Sequence, residues 1–116
     1  YTQEGASGLH FARLIEQLGI GAQVRAKAVR RAGGLIGELV AAGEAELAVQ
    51  QISELLAVPG IELAGPLPSE IQLVTVSCIG VFAGAEHAEA ARALARYLAS
   101  PEAARVIEAK GLEPLR

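Results

Sequence analysis

The run IQLVTVSCIGVF, residues 71–82, holds twelve residues with no acid, no base and no proline. Val74, Val76, Ile79, Val81 and Phe82 are β-branched or aromatic, so they suit a pleated surface better than a helix. It is the longest extended candidate in the chain. A second buried run, ELAVQQ, predicts a strand near 46–50, and the alternation in VRAKAVRRA predicts a half-exposed one near 25–30. IELAG, halted by PLP, reads as one further brief strand. The Ala-rich helical patterns suggest a pure helical bundle, but the extended runs at 45–50 and 71–82 argue against it.

Leu9, Phe11, Ala12, Leu14, Ile15 and Leu18 recur at spacings of three and four, which predicts an amphipathic helix over about 8–19. Ser7 is its candidate N-cap, and Gly19 stands where a left-handed C-terminal residue belongs. A second helix is predicted near 34–42, entered through Gly33-Gly34 and closed by Gly43. A short one follows over 52–57, ahead of Pro59-Gly60. Two helices finish the chain, near 86–99 and 101–110. The last has a strong start in Ser100, Pro101 and Glu102 and ends at Gly111. Helices alternating with short strands predict a single α/β domain over residues 1–116, built as a three-layer α/β/α sandwich with a mostly parallel sheet.

At 116 residues, 52% hydrophobic but only 3% aromatic, the core must be built from Ala, Leu, Val and Ile. A net charge of −3 argues against a nucleic-acid surface, so no nucleic-acid partner is expected. The short basic cluster Arg25, Lys27, Arg30 and Arg31 reads as a solvated face. The single cysteine, Cys78, excludes an internal disulfide and reads as a small buried hydrophobe. No apolar run approaches the ~20 residues of a membrane helix. The chain begins YTQEG without Met, as a processed product or excised piece would, so missing targeting signals say nothing about location.

Chemistry-bearing motifs are sparse. His10 and His87 have no partner at metal-ligand spacing, and the carboxylates are scattered on helix faces. There is no GxSxG, P-loop or GxGxxG. No enzymatic turnover, no metal and no cofactor are expected on these grounds. What remains is a set of small or neutral polar residues at element junctions: EGASG before the first helix, AGG before the second, and VQQ at a strand end. A helix N-terminus exposes unpaired N–H groups and binds anions without Lys or Arg. Ordinary capping and tight turns explain the same residues. The neighbouring amides Gln50 and Gln51 point to opposite sides of an extended segment, so only one can face a given cleft.

The blocks GASGLHFARLIEQLGI, GELVAAGEAELAVQQISELLAVPGIELAGPLPSEIQ and AARALARYLASPEAARVIEAKGLEP, in that order, resemble the molybdate-binding-protein-like branch of the bacterial extracellular solute-binding proteins. These are type 2 periplasmic binding proteins, the ligand receptors of ABC importers. The resemblance spans nearly all of the chain but matches only the second lobe and closing helices of a two-lobed family fold. It implies half of a binding site, a first lobe without counterpart here, and a periplasmic or extracytoplasmic parent. It also implies a small-solute ligand, with molybdate or another oxyanion as the candidate, and an ABC transporter permease as partner of the full-length protein.

Carried over to this sequence, the resemblance puts ligand contacts at Ser7, flanked by Ala6 and Gly8, at Gly33 or Gly34, and at Gln51. Well-studied molybdate binders place a tyrosine where Gln51 stands. An amide offers donors and an acceptor, whereas molybdate wants donors only, so this departure weakens that ligand. Gln50 is then structural. An effector-binding domain of a bacterial transcriptional regulator is the alternative function. An isolated lobe also exposes apolar surface that favours self-association.

Overall fold

The computed structural model describes residues 1–114. Six helices run in order: α1 (Ala6–Gln17), α2 (Gly21–Lys27), α3 (Gly37–Ala41), α4 (Ile52–Leu55), α5 (Ala88–Leu98) and α6 (Pro101–Ala109). The chain divides into two compact units, Tyr1–Thr75 and Val76–Arg116, where one domain is the expectation from sequence.

In the first unit α1 begins earlier than its sequence pattern predicts. Its N-cap is Gly5, at φ 87° and ψ 162°, a conformation essentially closed to residues with a Cβ. Ser7 is therefore not the cap but a first-turn residue, and no side chain caps this helix end. At the other end the Gly19 N–H bonds the Glu16 carbonyl and the Ile20 N–H bonds the Ile15 carbonyl, a Schellman closure as expected for Gly19. The same closure ends α3 at Gly43 and α6 at Gly111.

The strand predicted near 25–30 is corrected. Gly21–Lys27 is helical, and the chain is extended only from Ala28. Val24 and Ala28 are four apart as well as alternating, and alanine favours helix more than any other residue. Arg25 and Lys27 fall in the last turn, where the helix dipole favours cations, and Arg25 pairs with Glu16 of α1.

The buried apolar side chains of this unit are Leu14 and Ile15 of α1, Ile36 and Leu39 around α3, and Val58. Ile15 and Ile36 retain only 1% of their surface. Gly37 permits this closeness, since a Cβ there would sit 2.9 Å from Ile61 Cδ1 and 3.2 Å from Val58 Cγ2.

Residues 46–50 and 71–82 form no helix and no hydrogen-bonded ladder. Among the described residues the one β pairing is an isolated parallel bridge between Thr2 and Arg31. Strands gain their stability from cross-strand partners, and these runs find none among the described residues. Many of their apolar side chains accordingly stand in solvent, with Leu47 at 72%, Val74 at 75% and Phe82 at 77% exposure, while Val49, Ile71 and Val81 are half-buried. Cys78 is exposed with them, which corrects its reading as a buried hydrophobe.

In the second unit α5 packs on α6, and Ala103 is the buried side chain. Ser100 caps α6 as predicted, its Oγ accepting from the Ala103 N–H at 3.2 Å, with Pro101 at the start. No helix among the described residues is long and apolar enough to cross a membrane.

One close approach positions everything near the chain start. Gly8 is buried against Thr2, and a Cβ on Gly8 would overlap the Thr2 carbonyl and hydroxyl oxygens. Gly8→Ala should therefore cost about 1–3 kcal/mol through overpacking, seen as a lower midpoint in thermal or urea unfolding. An unchanged midpoint would show that Thr2 yields freely.

Candidate functional site

The parallel bridge sets the site. The Gln3 N–H donates to the Arg31 carbonyl at 2.7 Å and the Arg31 N–H donates to the Tyr1 carbonyl at 3.4 Å. Residues 1–3 are thus tied to residue 31, just ahead of the Gly33-Gly34 turn. Because Gly8 rests on Thr2, the first turn of α1 is held beside the same turn. Tyr1 adds an edge-to-face ring contact with Phe11, centroids 5.1 Å apart.

The other tether is Gln50. Its Oε1 accepts from the Ile36 N–H at 3.0 Å and its Nε2 donates to the Gly34 carbonyl at 2.8 Å. One amide thus joins the end of the 46–50 segment to both sides of the glycine turn. The adjacent Gln51 is exposed, and its side chain makes no hydrogen bond among the described residues. The two glutamines divide the work as their alternation predicts: one ties backbone, the other is free.

Between these elements lies an open pocket of about 270 Å³. Ser7, Gly33, Gly34 and Gln51 all line it, although 44 positions separate the first from the last (51 − 7). Gly8 does not line it but backs it from behind Thr2. Donors gather on one side: the first-turn N–H groups of α1, which no side chain caps, and the Ser7 hydroxyl, which is not spent on capping. The Gln51 amide adds donors and an acceptor.

Sequence reasoning missed Thr2, Glu4 and Glu54, which line the same pocket. Glu54 is half-buried, and its side chain has no hydrogen-bond or ion-pair partner among the described residues. The available signal was its spacing. It falls three residues after Gln51, in the first turn of α4, and its N–H donates to the Gln51 carbonyl at 3.0 Å. A carboxylate one turn beyond Gln51 lies beside the pocket that Gln51 lines, not on a distant helix face.

The other candidates are elsewhere. The Nε2–H of His10 donates to the Ile71 carbonyl at 2.8 Å, a bond that fixes where the ring carries its hydrogen, since a carbonyl only accepts. His10 lines an adjoining pocket of about 360 Å³, which shares Ser7, Gln50 and Gln51 with the first and is otherwise lined by residues such as Val40, Leu47 and Leu63. In the second unit His87 is the exposed N-cap of α5. Arg25, Lys27, Arg30 and Arg31 are exposed, with Arg31 3.6 Å from Glu38. Among the described residues no three His, Cys, Asp or Glu side chains group to hold a metal.

Comparison with known proteins adds to this geometry. The model of a family described as bacterial extracellular solute-binding protein matches residues 2–113. An aconitate isomerase from Pseudomonas sp is 41% identical over 113 residues, covering 97% of this chain. The chain spans 43% of that relative's length. No solved structure matches significantly. The relative carries an enzyme's name, which overturns the expectation of no turnover. A search for nucleophile–base pairs and metal sets is blind to chemistry that uses one proton-transfer group.

The two glutamines should separate experimentally. Gln50→Ala leaves the Ile36 N–H and Gly34 carbonyl without partners and should cost about 1–3 kcal/mol. Gln51→Ala should stay within about 0.5 kcal/mol of the parent. Urea unfolding of both variants checks this, and equal midpoints would refute the division.

Proposed function

The chain belongs to the bacterial extracellular solute-binding protein family, and on that premise we propose that its pocket is one wall of a site for a small polycarboxylate. The family is an extracellular one, which implies a periplasmic or extracytoplasmic parent protein. The observation that carries the proposal is the mixed chemistry of one wall. The uncapped first turn of α1, Ser7 and Gln51 offer donors, while Glu54 presents a carboxylate with no partner among the described residues.

A tetrahedral oxyanion such as molybdate presents negative oxygen in every direction and meets Glu54 unfavourably. A polycarboxylate has distinct ends: one carboxylate group takes the donors while its carbon skeleton lies toward Glu54. The similarity to an aconitate isomerase fits a substrate of this class, because aconitate is a tricarboxylate. Conversion of such a compound, in place of handing it to an ABC importer's permease, is then the function proposed for the whole protein.

The α/β/α sandwich of the family resemblance is part of the same proposal. Segments 46–50 and 71–82 would take places in a sheet completed by chain outside these residues. The donors missing from this open pocket would come from there as well. Binding by this chain alone is therefore weak.

Calorimetric titration of aconitate, molybdate and sulfate into the chain tests this. Aconitate should bind with Kd weaker than about 10 μM, a free energy smaller than about 7 kcal/mol, and ahead of both inorganic anions. Ser7→Ala with Gln51→Ala should abolish the heat. Molybdate binding more tightly than aconitate would overturn the substrate class. Sub-micromolar aconitate binding would overturn the half-site.

A further inference from the structure

We infer that Glu54 is the proton-transfer group of the reaction, the residue that removes and returns hydrogen on the bound polycarboxylate. The inference rests on the polycarboxylate site proposed above and adds a role to one side chain in it. Glu54 is half-buried, lines the pocket with Ser7 and Gln51, and its carboxylate is free of hydrogen bonds and ion pairs among the described residues. Glu16 is paired with Arg25 and Glu38 with Arg31, and of the unit's carboxylates unpaired among the described residues only Glu4 and Glu54 line this pocket. Glu4 also lines the pocket, but it is an exposed residue ahead of the helix, whereas Glu54 sits in the first turn of α4, directly after Gln51. His10 lines the adjoining pocket, which shares Ser7, Gln50 and Gln51 with this one, but its Nε2–H is spent on the Ile71 carbonyl, whereas the Glu54 carboxylate is unengaged among the described residues.

The chemistry closes without any co-reactant. Aconitate has a CH₂ carbon next to its carbon–carbon double bond, and each of its three skeletal carbons bears a carboxylate. The Glu54 carboxylate takes one proton from the CH₂ carbon. The C–H electron pair becomes a new double bond to the central carbon, and the old double bond's pair moves onto the former vinyl carbon. The neighbouring carboxylate delocalises that charge, and donors at the α1 N-terminus stabilise it. Glu54, now a carboxyl group in a pocket open to solvent, exchanges its proton with water, delivers a proton to the former vinyl carbon and regains its charge. The product has the same atoms with its double bond moved, and its geometry is free to differ from the starting isomer. Nothing is oxidised or reduced.

Placement explains why a carboxylate belongs in an anion site. It repels ligand oxygen but not the C–H bond it must break, so it orients the substrate and reacts with it. This predicts opposite effects of one substitution on binding and on exchange.

The test is proton NMR of aconitate in D₂O with this chain, reading deuterium entry at the CH₂ position, alongside calorimetry. Wild type should incorporate deuterium. Glu54→Gln should lower the rate at least about 100-fold, within the range general-base groups contribute, while affinity is equal or tighter. Glu54→Asp, which keeps the charge but withdraws it, should fall between them and confirms that a folded variant responds to reach. Exchange in Glu54→Gln within about threefold of wild type would overturn the assignment. So would binding by wild type with no deuterium entry, and either leaves the polycarboxylate site standing. A wild-type chain that binds no aconitate overturns the site and this role together.

Discussion

The Gln50 side chain holds the candidate site together. Its amide accepts from the Ile36 N–H and donates to the Gly34 carbonyl, so both polar atoms are used on backbone. Each bond contributes only about 1 kcal/mol net, but together they determine where the Gly33-Gly34 turn lies relative to Gln51. Ile36, whose N–H is held there, is among the most deeply buried side chains of the unit. The core therefore anchors the turn, and the turn supports the pocket. On the opposite wall Gly8 against Thr2 plays the matching part for α1. Without these two constraints Ser7 and Gln51 would be unrelated surface residues.

A pocket that mixes donors with the half-buried Glu54 carboxylate would select by shape of charge. Two unit charges 4 Å apart repel by about 1 kcal/mol in bulk water and about 4 kcal/mol at a protein-surface dielectric. That range separates a ligand that turns oxygen toward Glu54 from one that turns carbon toward it. Specificity of this kind comes from the repulsive element as much as from the donors. Gln51 serves the same end, since an amide matches a ligand with both polar and apolar faces better than a bare oxyanion.

Helix termini were the legible part of this chain. Gly19, Gly43 and Gly111 close helices where the sequence places them, and Ser100-Pro101 opens α6. These signals are local, so a single sequence contains them. The convergence of Ser7, Gly33, Gly34 and Gln51 on one pocket was also legible, through junction chemistry and the family resemblance. Four things were not. Alternating apolar and basic residues in 24–28 fit helix as well as strand, and Gly21–Lys27 became α2. Ser7 lost the cap to Gly5, because a glycine at φ 87° turns the chain two residues sooner. Glu54 looked like one more helix-face acid, since nothing in its own neighbourhood shows that a pocket opens in front of it. The apolar runs 46–50 and 71–82 carry strand chemistry whose outcome depends on partners, and sequence is silent on which partners are present.

The account stands or falls on whether one ligand touches residues far apart in the chain. Nitrogen-15 NMR of this chain during titration with tricarballylate, the saturated tricarboxylate that cannot isomerise, reads this directly. The backbone amides of Ala6, Ser7, Gly33, Gly34 and Gln51 should shift together along one saturable curve, with those of α5 and α6 unmoved. Shifts confined to the exposed basic residues 25–31, or spread evenly over the chain, would contradict a built polycarboxylate site.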